Sequence, residues 1–128
     1  MEIIRRPDVT SFANRGVTSE QLLFPENSPS RRVTITRVTV NPGATNPRHI
    51  HPASEQIWIA LRGSALLLLG DSKTAPFAEG DVARFADGDV HGVQNAGAVE
   101  FVYLSVTSPP INFRAAYERE PDETRMDT

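Results

Sequence analysis

Short runs rich in β-branched and apolar residues, each ended by a cluster of turn-forming residues, dominate the pattern along the chain. Residues 33–40 read Val-Thr-Ile-Thr-Arg-Val-Thr-Val, a β-branched run that suits a pleated strand, and Asn41-Pro42-Gly43 stops it. Residues 56–62 and 64–69 form two apolar runs separated by Gly63, and Gly70-Asp71-Ser72 closes the second. Residues 81–85, 90–94 and 99–107 supply three more strand candidates, the last of them mostly apolar and expected to be buried. Two segments have a helical look: Thr18–Phe24, which is short and ambiguous, and Ala115–Glu120, expected to make about one turn after Pro109-Pro110. The polar end, residues 121–128, is expected to be loose. Closely spaced short strands with turn signals and no repeat predict an all-β sandwich or barrel.

Composition narrows this picture. A length of 128 residues suits one domain, and 39% hydrophobic residues can support its core. A formal net charge of −3 disfavours a general nucleic-acid binder, which needs a basic field to displace counterions from phosphate. The lack of cysteine removes disulfides, thiolate metal sites and thiol catalysis together. The most apolar stretch, residues 57–70, is broken by Arg62-Gly63-Ser64 and is too short to span a bilayer, and residues 1–20 lack the apolar core of a signal peptide. The expectation is a cytoplasmic protein with no membrane and no nucleic-acid partner.

The candidate chemistry lies in the three histidines, His49, His51 and His91. On a strand, residues two apart share a face, so His49 and His51 can converge on one ion, and His91 from a separate strand can complete the set. Imidazole suits Fe, Ni, Zn, Co and Cu, and a side-chain oxygen can add a further ligand. A bare His-x-His pair is more often structural than metal-binding, so the surrounding pattern has to decide.

That pattern resembles the two motifs of the cupin superfamily. The first motif, residues 43–63, runs from Gly43 through five spacers to His49-Ile50-His51, four spacers to Gln56 and six to Gly63. The second motif, residues 80–95, runs from Gly80 through five spacers to Ala86-Asp87-Gly88, two to His91 and three to Asn95, with Ala86 where the family has proline. The resemblance implies a single all-β cupin domain over residues 1–128. Its fold would be a double-stranded β-helix or jelly-roll type antiparallel barrel, with a core at about residues 30–108 and short ends outside it. One divalent transition metal (Fe, Ni, Zn, Co, Cu or Mn) would sit inside near one mouth. The resemblance also implies a homodimer, with Glu2–Arg5 or Val99–Thr107 able to pair across it.

The fourth ligand is open between neighbours. Glu55 lies three spacers after His51 and Gln56 four, both allowed by the family pattern, but only Gln56 also stands six spacers before Gly63. Gln56 is therefore favoured, giving metal ligands His49, His51, Gln56 and His91. Three imidazoles and a carboxamide leave a divalent charge uncompensated, which favours an anionic ligand at the open position. Glu55 then becomes a rim residue and the nearest spare carboxylate for catalysis. If Gln56 points inward, Trp58 and Ala60 follow it, and Trp58 either lines a cavity or fills the barrel. Tyr103, Arg37, Arg48 and Arg84 are further pocket candidates, the arginines because they can grip a carboxylate in bidentate fashion. Asn95 reads as structural.

The leading functional expectation is a metal-dependent enzyme, of dioxygenase, isomerase or lyase type, acting on a small oxygen-rich organic acid, diketone or sugar acid. A non-enzymatic cupin binding a metal or small molecule is the alternative, favoured by the scarcity of spare catalytic acids. The segment Ser108-Pro109-Pro110 with Phe113 faintly resembles the cupins that linearise unsaturated uronates.

Overall fold

The structure, a computed structural model, describes residues 1–118. The expected all-β architecture is present. After a 3-10 turn at Arg6–Asp8, strands β1 (Thr10–Asn14), β2 (Val17–Leu23), β3 (Thr34–Val40), β4 (Thr45–His49) and β5 (Glu55–Arg62) lead into β6 (Ser64–Leu68) and β7 (Thr74–Ala78). Then follow β8 (Val82–Phe85), β9 (His91–Gln94), β10 (Phe101–Ser108) and a short helix α1 (Arg114–Glu118). One sheet has the order β1-β2-β3-β10-β5-β8 and the other β4-β9-β6-β7, and their pairings are antiparallel. Among the described residues, no helix is long and apolar enough to cross a membrane.

Strand register explains how one barrel carries both a core and a site. The inward face of the larger sheet is built in rows of paired residues. One row, Val17–Val40–Phe101, is apolar. The next is Ser19–Val38–Tyr103–Ala60. Beyond it lies Gln21–Thr36–Ser105–Trp58, and then Thr34–Thr107–Gln56–Phe85. All the residues of these rows are buried. The interior therefore grades from hydrocarbon at one end to hydroxyl and carboxamide at the other. The apolar end holds the sheets together with Leu67, Phe77 and Val93 of the smaller sheet, where burial of each large side chain contributes about 1.5–3 kcal/mol.

This grading also explains a misreading of the sequence. Thr18–Phe24, with its helical look, belongs to β2 except for Phe24, which lies just past the strand. Its inward positions Val17, Ser19 and Gln21 alternate as a strand requires, but two of them are polar, so hydropathy hides the period. Strand β7 was not expected at all, because Pro76 and flanking polar residues interrupt its pattern. The helical turn expected at Ala115–Glu120 begins one residue earlier, at Arg114, and is described to Glu118; residues 121–128, expected to be loose, lie outside the described residues.

Neither segment proposed to pair across a dimer is an edge strand. Phe101–Ser108 runs between β3 and β5 in the middle of the larger sheet, and the segment before Arg6 has no strand structure. The bend between β5 and β6 requires glycine on two counts. Gly63 has φ +80, and a Cβ there would stand 2.6 Å from the Glu100 carbonyl oxygen.

Candidate metal centre

The smaller sheet supplies the three imidazoles. His49 ends β4, His91 opens β9, and the two are register partners; His51 stands two residues beyond the end of β4. All three are buried, and their candidate ligand atoms lie within 4.8 Å of one another.

Hydrogen bonds set which nitrogen can bind a metal. His49 Nδ1 lies 2.8 Å from the Pro47 carbonyl oxygen, and His91 Nδ1 lies 2.9 Å from that of Asp89. A carbonyl oxygen only accepts, so each Nδ1 carries the proton and donates, and Nε2 is the ligating atom. This is the outer-shell arrangement that metal-binding histidines use. Aromatic packing fixes the ring planes. Phe85 stacks on His91 at 4.7 Å and 18°, Trp58 meets His91 edge-on at 5.6 Å, and Phe113 meets His51 edge-on at 5.8 Å.

The turn before His91 accounts for the alanine in the second motif. The Ala86 backbone N–H donates to the Asp89 carboxylate at 2.9 Å, and Asp89 N–H donates back to the Ala86 carbonyl at 3.0 Å. A proline at 86 has no N–H to give. Here a side-chain hydrogen bond shapes the turn, and its Asp89 carbonyl orients His91.

The next residue, Gly92, was not singled out from the sequence. A Cβ on it would lie 2.7 Å from the Asn46 carbonyl oxygen, 2.8 Å from the Pro47 carbonyl carbon and 2.9 Å from the Arg48 nitrogen. Only hydrogen fits where β9 crosses β4. A glycine directly after a ligand-position histidine was the available signal.

Strand alternation separates Glu55 from Gln56. Gln56 is buried on the cavity wall with His49, His51 and Trp58. Trp58 Nε1 donates to Gln56 Oε1 at 2.9 Å, and Gln56 Nε2 donates to Thr107 Oγ1 at 2.9 Å. An indole N–H is only a donor, so the carboxamide oxygen is the atom beside Trp58, and it has a second lone pair. Glu55 points to the outer face and pairs with Arg84.

The arginines expected at the mouth are elsewhere. Arg37 stands on the outer face of β3 near Glu20, Arg84 is held by Glu55, and Arg48 donates to the Leu69 and Lys73 carbonyls at 2.7 and 3.1 Å. Arg48 thus braces the β6–β7 turn. Among the described residues no charged side chain lines the cavity beside the histidines.

That cavity measures about 50 Å³ and is walled by Ser19, Thr36, Ser105 and Asn46 together with Trp58 and Tyr103. Trp58 and Tyr103 pack at 4.2 Å. Trp58 therefore both lines the cavity and fills the barrel. Burial, and then the nearby Tyr117, push the Tyr103 hydroxyl far above the usual phenol range, while a hydrogen bond with Asn46 pulls the other way. Tyr103 stays a neutral phenol. Phe113, Ala116 and Tyr117 close the cavity from the C-terminal segment.

A His-only first set of ligands, two with Nδ1–H donated to backbone carbonyls, beside a polar cavity, fits a divalent transition metal. A small antiparallel β-barrel carrying both motifs defines a class, the cupins, and the comparisons agree on that fold. The cupin-domain family model matches residues 36–107, and the chain belongs to the cupin family. No curated protein matches the sequence.

Solved structures share the fold. A double-stranded β-helix protein from Klebsiella pneumoniae superposes with a TM-score of 0.72 at 23% identity, covering 86% of this chain and 91% of that one. A protein described as a predicted oxalate decarboxylase from Thermotoga maritima gives 0.73 at 22% identity, covering 84% and 99%. The polyketide cyclase RemF from Streptomyces resistomycificus gives 0.72 at 24% identity, covering 84% and 79%.

Proposed function

We propose that this cupin is a metal-dependent enzyme acting on a small oxygen-rich organic acid, diketone or sugar acid. His49, His51 and His91 would hold one divalent transition metal through Nε2, with the second lone pair of Gln56 Oε1 as the fourth donor. The carrying observation is the pair of Nδ1 bonds at His49 and His91, which leave Nε2 of both rings as the ligand atoms, with His49 and His51 on the cavity wall. A bound divalent metal would act there as a Lewis acid, polarising substrate oxygens and stabilising an enolate or similar anion.

The chain's own residues do the rest. The hydroxyls of Ser19, Thr36 and Ser105 offer substrate hydrogen bonds without adding charge. Tyr103, held as a phenol, donates or accepts a hydrogen bond but does not act as a base at neutral pH. Trp58 adds an apolar aromatic side chain to the cavity wall. The uncharged lining keeps the cavity's field positive once a metal binds, which supports an anionic or enolisable substrate.

The same lack of a lining carboxylate favours, as a second reading, a cupin that binds a metal or small molecule without turnover. Metal analysis of protein from its native host, then oxygen uptake and product analysis across diketones and sugar acids, separates the two. Turnover that is lost in His49→Ala and His91→Ala supports the enzyme. Bound metal with no turnover across the panel supports the binding protein. Unchanged metal content in both folded variants overturns the metal centre itself.

A further inference from the structure

The cavity at the histidines is small. A water needs on the order of 10–15 Å³ of such space, so 50 Å³ takes a few water-sized groups. That admits the chelating head of a substrate but little more. A second cavity of about 220 Å³ lies against the first, lined by Asn14, Arg15, Thr45, Asn46, Ala116 and Tyr117 among others. Asn46, Ala116 and Tyr117 line both and so form the wall between them.

The wall is a strap more than a packed core element. Among the described residues α1 buries no residue. Arg114 clasps Glu26 with two hydrogen bonds of 2.7 and 2.6 Å and lies over the Phe12 ring, and Tyr117 packs on Phe12 at 5.9 Å.

Among the described residues, Arg15 is the one charged side chain lining either cavity. It sits in the two-residue turn between β1 and β2, where Arg15 and Gly16 have φ +50 and +83. Both central residues at positive φ define a tight hairpin turn that matches strand twist, so the backbone carrying this cation is well fixed.

We propose that the two cavities are one bipartite substrate site. The oxygen-chelating head would sit at the histidine centre, and an anionic tail would lie in the outer chamber against Arg15. Tyr117 is the specificity-determining residue that limits what passes between them. The substrate class this assigns is an extended acid with a chelating group at one end and a carboxylate at the other. The proposal rests on the metal-centre reading above.

Three hydroxamates with the same chelating head test it on the Co(II)-loaded full chain, with the visible Co(II) bands as the readout. Acetohydroxamate has no tail, hexanohydroxamate an apolar one, and adipic monohydroxamate a tail of the same length ending in a carboxylate. In wild type the carboxylate-tailed probe binds tightest. Arg15→Ala weakens it about fivefold, the size of an exposed ion pair, and leaves the other two unchanged; Arg15→Lys restores most of the difference. High salt removes the preference in wild type. Tyr117→Ala tightens both tailed probes and leaves acetohydroxamate alone. Equal affinities for the three probes, or an Arg15→Ala effect shared by all three, overturn the bipartite site while the metal centre stands. No change in the Co(II) bands with acetohydroxamate overturns the metal-centre reading and this proposal with it.

Discussion

Adding one methyl group at Gly92 tests whether the crossing of β4 and β9 sets the geometry of the histidines. The new Cβ would meet three backbone atoms of β4 at 2.7–2.9 Å, where ordinary contact begins at 3.4 Å. Backbone on both sides leaves no flexible side chain to give way, so β4 has to retreat by roughly 0.5–0.7 Å. Overpacking of this kind costs about 1–3 kcal/mol. The consequence for the site is larger than for the fold. His91 adjoins Gly92, and His49 lies across the same strand pair, directly in register. Metal–ligand distances tolerate only about 0.2 Å, so the retreat splays the His49 and His91 ligand atoms beyond that limit.

Gly92→Ala should therefore remain folded, with a urea midpoint lowered by that cost, and lose about 10–100-fold in Co(II) or Zn(II) affinity, the range seen when support around a metal ligand is disturbed. Competition against a chromogenic chelator reads the affinity. Gly80→Ala is the comparison. Gly80 has φ +92 with nothing within 4 Å of an added Cβ, so it should lose about 1–2 kcal/mol to backbone strain and no metal affinity. A folded Gly92→Ala with wild-type affinity, or equal affinity losses in the two variants, would refute the reasoning.

Three further outcomes follow from the same geometry. Asn95 is fully buried; it donates to the Val40 and Val99 carbonyls at 2.9 and 2.8 Å and accepts from Gly97 N–H at 3.0 Å. Asn95→Ala should cost about 2–4 kcal/mol in urea unfolding, and a loss under 1 kcal/mol would show these bonds to be dispensable. Gln56→Ala should lower metal affinity more than Glu55→Ala, read by the same chelator competition; the reverse order would move the fourth donor to Glu55. Hydrogen bonds from Arg114 first and Asn112 second lower the Glu26 carboxyl from 4.5 to about 2. A pKa depressed in the folded state means that the clasp is at full strength above pH 4.5 and is lost as the pH falls toward 2. Tyr117 and Phe12 NMR shifts should change in that window and lose the change in Glu26→Gln; shifts that move identically in both proteins would remove Glu26 as the cause.

The larger part of this architecture was legible because strand alternation and turn chemistry are local. The β-branched run at residues 33–40 forms β3 from Thr34 on, and Gly63 marks the β5–β6 bend where its φ of +80 requires glycine. The grouping of the three histidines was legible for a different reason: the spacing of two motifs stands in for a three-dimensional arrangement that no local rule contains. What was hidden lies where the interior is polar or the contact is distant. Ser19 and Gln21 face inward and disguise β2. Phe113 and Tyr117 reach the cavity from beyond the last strand, and no local hydropathy pattern places them there. The arginines failed as pocket candidates because proximity in sequence does not fix the face. Arg37 and Arg84 occupy outward positions on their strands, and each finds a carboxylate there.

The placement of charge ties the fold to the chemistry. Glu55 and Arg84 pair on the outside of β5 and β8, so the one-residue choice between Glu55 and Gln56 also decides whether the lumen receives a negative charge. With Gln56 inside, the row Thr34–Thr107–Gln56 can be buried as neutral hydrogen-bonded groups, with Gln56 bonded to both Thr107 and Trp58. A carboxylate in that position would face the donor-only indole of Trp58 well enough, but it would bring a charge into a buried wall with no cation lining it. An uncharged wall avoids that desolvation cost, and it leaves the charge of a bound divalent metal to be met by the substrate. The arrangement therefore favours substrates that are anions or become anions at the reacting oxygen, and it makes affinity for such ligands depend on the metal more than on any side chain of the inner cavity.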